Sequence, residues 1–164
     1  MKVFGLAGYS GSGKTTLLEG LIPYFTAQGL SVALIKHAHH DFDIDQPGKD
    51  SYRHRQAGAT EVLVSSDQRW ALMHELRGAE APSLQALLAQ LSPCDLVLVE
   101  GFKREPIPKL EIHRLANAKP LLFPEDSHII AIATDAPITT ALPRFEMGAT
   151  DAIGLFILQS LGIR

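Results

Sequence analysis

Gly8, Tyr9, Ser10, Gly11, Ser12, Gly13, Lys14 and Thr15 run G-x-x-x-x-G-K-T without interruption. That spacing suits the cradling of phosphate. Glycines let the backbone curl until successive N–H groups point at phosphate oxygens. A helix starting just behind them adds partial positive charge. Lys14 is placed to reach β- and γ-phosphates, the Thr15 hydroxyl to hold Mg²⁺, and Thr16 to contact an α-phosphate. Chance gives such a run in roughly one chain of this size in a few hundred. The run carries weight only if a strand precedes it and a helix follows.

A Mg²⁺-bound phosphate needs a carboxylate nearby, and Asp95-Leu96-Val97-Leu98-Val99-Glu100-Gly101 supplies one. Four apolar residues deliver Glu100 to the carboxyl end of a strand, where open α/β sheets hold their ligands. There it can hold a water of the Mg²⁺ shell or orient an attacking water. Asp95 sits at the other end of that strand. Lys36-His37-Ala38-His39-His40-Asp41-Phe42-Asp43-Ile44-Asp45 is a third cluster. Its histidines and carboxylates suit three roles: a transition-metal site, a loop around Mg²⁺ and a γ-phosphate, or a solvated polar loop. Asp41 and Glu100 are the candidate metal-shell and catalytic carboxylates, with Asp43 as the alternative to Asp41 in the outer shell, and Lys36 joins the nucleotide-facing group. For the base, no N-K-x-D is present. Asp135 closes a later apolar run and can accept hydrogen bonds from guanine N1 and its exocyclic amine, or it can cap the chain before Pro137.

The elements that must position these groups follow from hydrophobic spacing. Lys2 to Ala7 reads as a buried strand, and Leu17, Leu18, Leu21, Ile22 and Phe25 recur at helical spacing before Gly29. Pro23 lies inside that helix. Val32 to Ile35 is a second buried strand, so a parallel βαβ unit is expected. A short helix is expected from Asp50 or Ser51 to Ala57, and a hairpin from Glu61–Ser65 and Arg69–Leu76. Trp70 and Met73 of that hairpin are expected in a core. Pro82 to Leu91 reads as a helix, Leu96 to Val99 as a strand, and Leu110 to Arg114 as an edge strand. His128 to Ala133 reads as a buried strand and Asp151 to Leu161 as a terminal helix. The expected fold is α/β: a P-loop NTPase-like three-layer sandwich, its mainly parallel sheet extended by an antiparallel hairpin. The whole of 1–164 is expected as a single nucleotide-binding domain.

Composition narrows the function classes. Of 164 residues, 46% are hydrophobic and 20% charged, which fits a globular protein and not a disordered one. The net charge of −3 offers no global field for nucleic acid. Cys94 is the only cysteine, so no intrachain disulfide is possible. The N-terminal residues show neither a signal-peptide layout nor a membrane-length apolar run, so a cytoplasmic protein without membrane contact is expected. Lys49, Arg53 and Arg55 form a small basic group suited to phosphate, to an acidic partner or to solvent. No arginine lies inside the phosphate loop, and Arg53 and Arg55 are the nearest candidates to neutralise a transition state. Hydrolysis by the chain alone is therefore expected to be slow.

Several segments in this order resemble the MobB family, the molybdopterin-guanine dinucleotide biosynthesis adapter proteins. They are Gly11-Ser12-Gly13-Lys14-Thr15-Thr16-Leu17-Leu18, Leu34-Ile35-Lys36-His37-Ala38-His39-His40-Asp41 and Pro47-Gly48-Lys49-Asp50-Ser51-Tyr52, followed by Gln68-Arg69-Trp70-Ala71-Leu72-Met73 and Leu98-Val99-Glu100-Gly101-Phe102-Lys103. The resemblance covers most of 3–114, and beyond that only the strand ending Ala133-Thr134-Asp135. It implies a GTP-binding, Mg²⁺-dependent homodimer with at most weak GTPase activity. It also implies a partner, the guanylyltransferase that attaches GMP to molybdopterin. Two other classes share the phosphate loop. A small-molecule kinase wants an arginine-bearing lid, for which Arg77-Gly78-Ala79-Glu80 is poorly suited. A nickel-insertion GTPase wants a thiolate–histidine site, for which the lone Cys94 is badly placed.

Overall fold

The computed structural model describes residues 1–38 and 42–163. They pack as two compact units, one of residues 1–37 and 84–164 and one of residues 38–83.

The larger unit is built on a six-stranded sheet. Its strands are β1 (Lys2–Ala7), β2 (Val32–Lys36), β5 (Leu96–Glu100), β6 (Lys109–His113), β7 (Ile129–Thr134) and β8 (Arg144–Phe145). The order across the sheet is β2-β5-β1-β6-β7-β8, and every pairing is parallel. β1 and β5 are near-continuous apolar runs because both faces of the sheet are covered. Phe4, Leu6, Leu96, Leu98, Leu110 and Ile112 turn to one face. There they meet Leu18, Leu21 and Phe25 of α1 (Lys14–Thr26) and Ile153 and Ile157 of α4 (Thr150–Ser160). Val97, Val99 and Ile35 turn to the other face, against Leu84 of the short helix α3 (Leu84–Leu88). That makes three layers, as expected.

The structure corrects several expectations. The strand expected at an edge from Leu110 to Arg114 is β6, and it lies between β1 and β7 with all five residues buried. Its polar residues look solvent-facing in sequence, yet each is satisfied indoors. Lys109 is 1% exposed. Its Nζ donates to the carbonyls of Lys103 (2.8 Å) and Glu105 (2.9 Å) and pairs with Asp126. Glu111 accepts from the N–H groups of Leu122 and Phe123 at 2.8 and 2.9 Å. Gly5 makes room for the lysine, since a Cβ there would lie 2.5 Å from Lys109 Cγ. The helix expected over 82–91 is only α3. The two-residue β8 was not expected at all.

The smaller unit holds α2 (Asp50–Gln56) and an antiparallel hairpin of β3 (Glu61–Ser65) and β4 (Trp70–His74). The hairpin adds the antiparallel component of the fold, but it is a two-stranded sheet of its own and does not lengthen the six-stranded one. Met73 is buried as expected, whereas Trp70 is 65% exposed and not a core residue. One side chain organises this unit. Arg55 Nη2 reaches Asp43 (2.6 Å) and Asp45 (2.8 Å), and Nη1 reaches Glu75 (3.0 Å).

Candidate functional site

β1 ends at Ala7 and α1 begins at Lys14, so the G-x-x-x-x-G-K-T run is the turn between a strand and a helix. Gly13 is the N-cap of α1 with φ +99° and ψ +14°, a left-handed conformation that favours glycine, and no side chain caps the helix. The N–H groups of the first turn are thus left for an anion. Lys14 is half-buried, and its Nζ donates back to the carbonyls of Gly8 (3.0 Å) and Tyr9 (2.9 Å). The Ser12 hydroxyl is buried without a hydrogen-bond partner. Thr15 and Thr16 are exposed on the first turn of α1, and Ser10 and Gly11 are exposed on the loop. An orphaned hydroxyl, unfilled helix donors and a left-handed glycine are the features that a bound polyphosphate would use.

Glu100 ends β5, in register with Leu6 on one side and Lys36 on the other. Its Oε2 lies 3.6 Å from Lys36 Nζ. It is close enough to Lys14 to act on that ammonium. Burial pulls the Lys14 pKa below 10.5, Glu100 pushes it up, and Lys103 and Lys36 lower it further. The sheet thus gathers the loop, Lys36 and Glu100 at one edge. The turn after Glu100 is tight. Gly101 has φ +105°, and a Cβ there would lie 2.6 Å from His37 Cβ. The His37 ring meets the Phe102 ring edge-on at 5.1 Å.

Asp135 lies just past β7 at the same edge, and its Oδ1 accepts from the Leu115 N–H at 2.7 Å. That bond ties β7 to the segment after β6 and is not the local cap before Pro137 that was the alternative; the Ala136 N–H goes to Thr134 Oγ1 instead. Asp41, with His39 and His40, lies outside the described residues. Asp43 is held by Arg55 inside the smaller unit. Among the described residues no group of three or more His, Cys, Asp or Glu is arranged around a metal. Arg55, one of the two arginines considered as candidates to neutralise a transition state, is committed to three carboxylates.

Sequence reasoning missed the residues after β6. Arg114 Nη2 comes within 3.6 Å of where a Gly13 Cβ would stand. Asn117 Nδ2 donates to the Ser10 carbonyl at 3.3 Å. Lys119, also after β6, places its ammonium group 6.0 Å from the centre of the Tyr9 ring, and Lys103, which precedes β6, lies 4.4 Å from it. The available signal was positional: a strand beside β1 must end beside the phosphate loop, so its following residues are site residues.

Comparison with known proteins agrees with this architecture. The family model of molybdopterin guanine dinucleotide synthesis protein B, MobB, matches residues 3–135. The molybdopterin-guanine dinucleotide biosynthesis adapter protein of Escherichia coli K12 is 43% identical over 96% of this chain and 91% of its own. That of Haemophilus influenzae is 49% identical over 83% of this chain and 76% of its own. Among solved structures, Bacillus subtilis MobB superposes with a TM-score of 0.78 at 26% identity, covering 98% of both chains. A MobB homologue from Bacillus stearothermophilus superposes at 0.74 over the full length of both. With a family match across the phosphate loop, Glu100 and Asp135, and relatives aligned over most of its length, this chain belongs to the MobB family.

Proposed function

We propose that the chain is an adapter in molybdopterin guanine dinucleotide biosynthesis that binds GTP with Mg²⁺ and assists the guanylyltransferase. The observation that carries the nucleotide reading is the loop from Gly8 to Thr16, with unfilled N–H donors, a buried unpartnered Ser12 hydroxyl and Lys14 beside Glu100. Mg²⁺ would supply charge neutralisation for the bound phosphates, with Thr15 and Glu100 as the residues that would hold it and its waters. Lys14 gives up its two carbonyl bonds for phosphate oxygens. Lys36 holds Glu100 in place. Asp135 keeps one oxygen on Leu115 and presents the other to a guanine. The relatives' adapter names support the pathway assignment.

Binding outweighs turnover in this reading. Fast hydrolysis needs a positioned water and a cation on the γ-phosphate charge, worth about 10³–10⁵ in rate, and Arg55 is engaged elsewhere. The chain is at most a slow GTPase. A homodimer is the assembly we assign, because the hairpin leaves Leu63 and Trp70 more than 60% exposed. The cytoplasm is the assigned location, and among the described residues no helix is long and apolar enough to cross a membrane.

The test is binding between this protein and the molybdopterin guanylyltransferase with GTP, with GDP and without nucleotide, alongside calorimetric titration of GTP. The reading expects GTP binding that requires Lys14 and a complex whose affinity depends on the nucleotide. Absence of a complex in every state, or GTP turnover at the ~1–100 s⁻¹ of kinases, overturns it.

A further inference from the structure

We propose that Arg114 is a nucleotide-binding residue whose guanidinium closes a pocket beside the phosphate loop, a pocket that takes the phosphate-to-sugar end of a nucleoside phosphate. The inference rests on the nucleotide reading above and adds where the non-terminal part of the ligand goes. A Cβ on Gly13 would lie 3.3 Å from Met147 Cε and 3.6 Å from Arg114 Nη2. The bare glycine therefore lets a thioether and a guanidinium close in on the loop from two directions. The pocket they flank continues past Thr16 and Leu17 to Gly148 and Thr150, so it opens from the end of the loop where the α-phosphate is expected.

The charge balance points to an anion. Arg114 is exposed and pairs with no carboxylate among the described residues. Asp135, the acid on the neighbouring strand, gives Oδ1 to the Leu115 N–H. Lys14 adds a second positive charge to the same loop, so cations flank the place a phosphate would occupy. The pocket has two characters. Arg114, Thr16 and Thr150 offer donors, while Leu17 and Met147 offer an apolar wall. An inorganic phosphate would use only the donors. A phosphate joined to a sugar and a flat base uses both, and a methionine thioether is a polarisable surface for such a ring.

The experiment titrates the intact wild-type protein, Arg114→Ala and Arg114→Lys with GTP, GDP and inorganic tripolyphosphate, all with Mg²⁺. Loss of a charge-assisted bond predicts that Arg114→Ala binds GTP and GDP alike about tenfold or more weakly. Tripolyphosphate, which reaches the same donors without the apolar wall, should weaken as well. Arg114→Lys should recover part of the loss. Thermal melting should be unchanged, since Arg114 is exposed and unbonded; if the alanine variant does not fold, the lysine variant carries the comparison. Unchanged GTP and GDP binding in a folded Arg114→Ala overturns the proposal while leaving the nucleotide reading intact. A loss confined to GTP and tripolyphosphate also overturns it, because it moves the guanidinium to the terminal phosphate. A wild-type protein that binds none of the three ligands overturns the nucleotide reading itself, and this proposal with it.

Discussion

Lys14 carries the sharpest single-residue expectation. It touches the loop through two carbonyl bonds and contributes nothing to the core. Lys14→Ala should fold normally and bind GTP about ten- to a hundredfold more weakly, the equivalent of a charge-assisted bond worth about 1.5–3 kcal/mol. Near-normal GTP affinity in a folded variant would remove the loop from the site. Protonation gives a second readout. Only the ammonium binds phosphate, and burial lowers its pKa from 10.5. GTP affinity should therefore fall as pH rises, beginning below the range of an ordinary lysine. A profile of dissociation constants on the alkaline side, with Lys14→Arg lacking that fall, checks the assignment. Asp135 is tested separately. In Asp135→Asn the amide oxygen can keep the Leu115 bond while a donor replaces the second acceptor. The preference for GTP over ATP should narrow; an unchanged preference leaves Asp135 as a tie to Leu115 alone.

At the scale of elements, β6 decides how the right half of the sheet is organised. Lys109 is buried on β6, and its ammonium ties the loop of Lys103 and Glu105 to Asp126 just before β7. Burial alone would raise the Asp126 pKa, but the bonds from Lys109 and His128 outweigh it and hold the carboxyl below its ordinary value. A depressed carboxyl stabilises the fold above its unfolded pKa, and that contribution is lost as pH falls through the folded value. Acid titration of stability in Asp126→Asn should lack this component. Lys109→Met keeps the stem and deletes the charge, leaving two carbonyls and a carboxylate without their donor. It should lower stability by about 3 kcal/mol, measured by denaturant unfolding; a loss under about 1 kcal/mol would show that water replaces the ammonium at no cost. The same element shows how far the sequence could be read. β1, β5 and the phosphate loop were legible because a continuous apolar run and a glycine pattern depend on local order alone. The K-L-E-I-H alternation of β6 is locally that of an edge strand. Its burial depends on partners up to 17 residues away in sequence, Leu122, Phe123 and Asp126. Arg114 was invisible for the same reason: its role follows from β6 being central. Trp70 failed differently, since a large aromatic in a hairpin signals burial without saying against what.

For the whole molecule the open question is what covers the hairpin. Leu63 and Leu72 face each other across β3 and β4, and both are exposed, as are Val64 and Trp70. A two-stranded hairpin is marginally stable in water unless another surface buries its apolar side chains. Inside its unit, Arg55 supplies polar cross-links to Asp43, Asp45 and Glu75, while α2 has no buried residue. Polar ties fix the shape of the unit and leave its apolar surface available, as an interface requires. A second copy of the chain is the occupant that the proposed homodimer names. Leu63→Glu with Leu72→Glu places like charges opposite each other on that surface, which is unfavourable in the pair and more so against a partner. The homodimer reading expects the wild type to sediment as a dimer and the double variant as a monomer. GTP titration should be unaffected, because the phosphate loop, Glu100 and Arg114 belong to the other unit. Binding to the guanylyltransferase then separates two arrangements. If the partner recognises one subunit, the monomeric variant still binds; if it spans both, affinity falls with dimerisation. A wild type that sediments as a monomer, or a double variant that remains dimeric, removes the hairpin as the self-association surface.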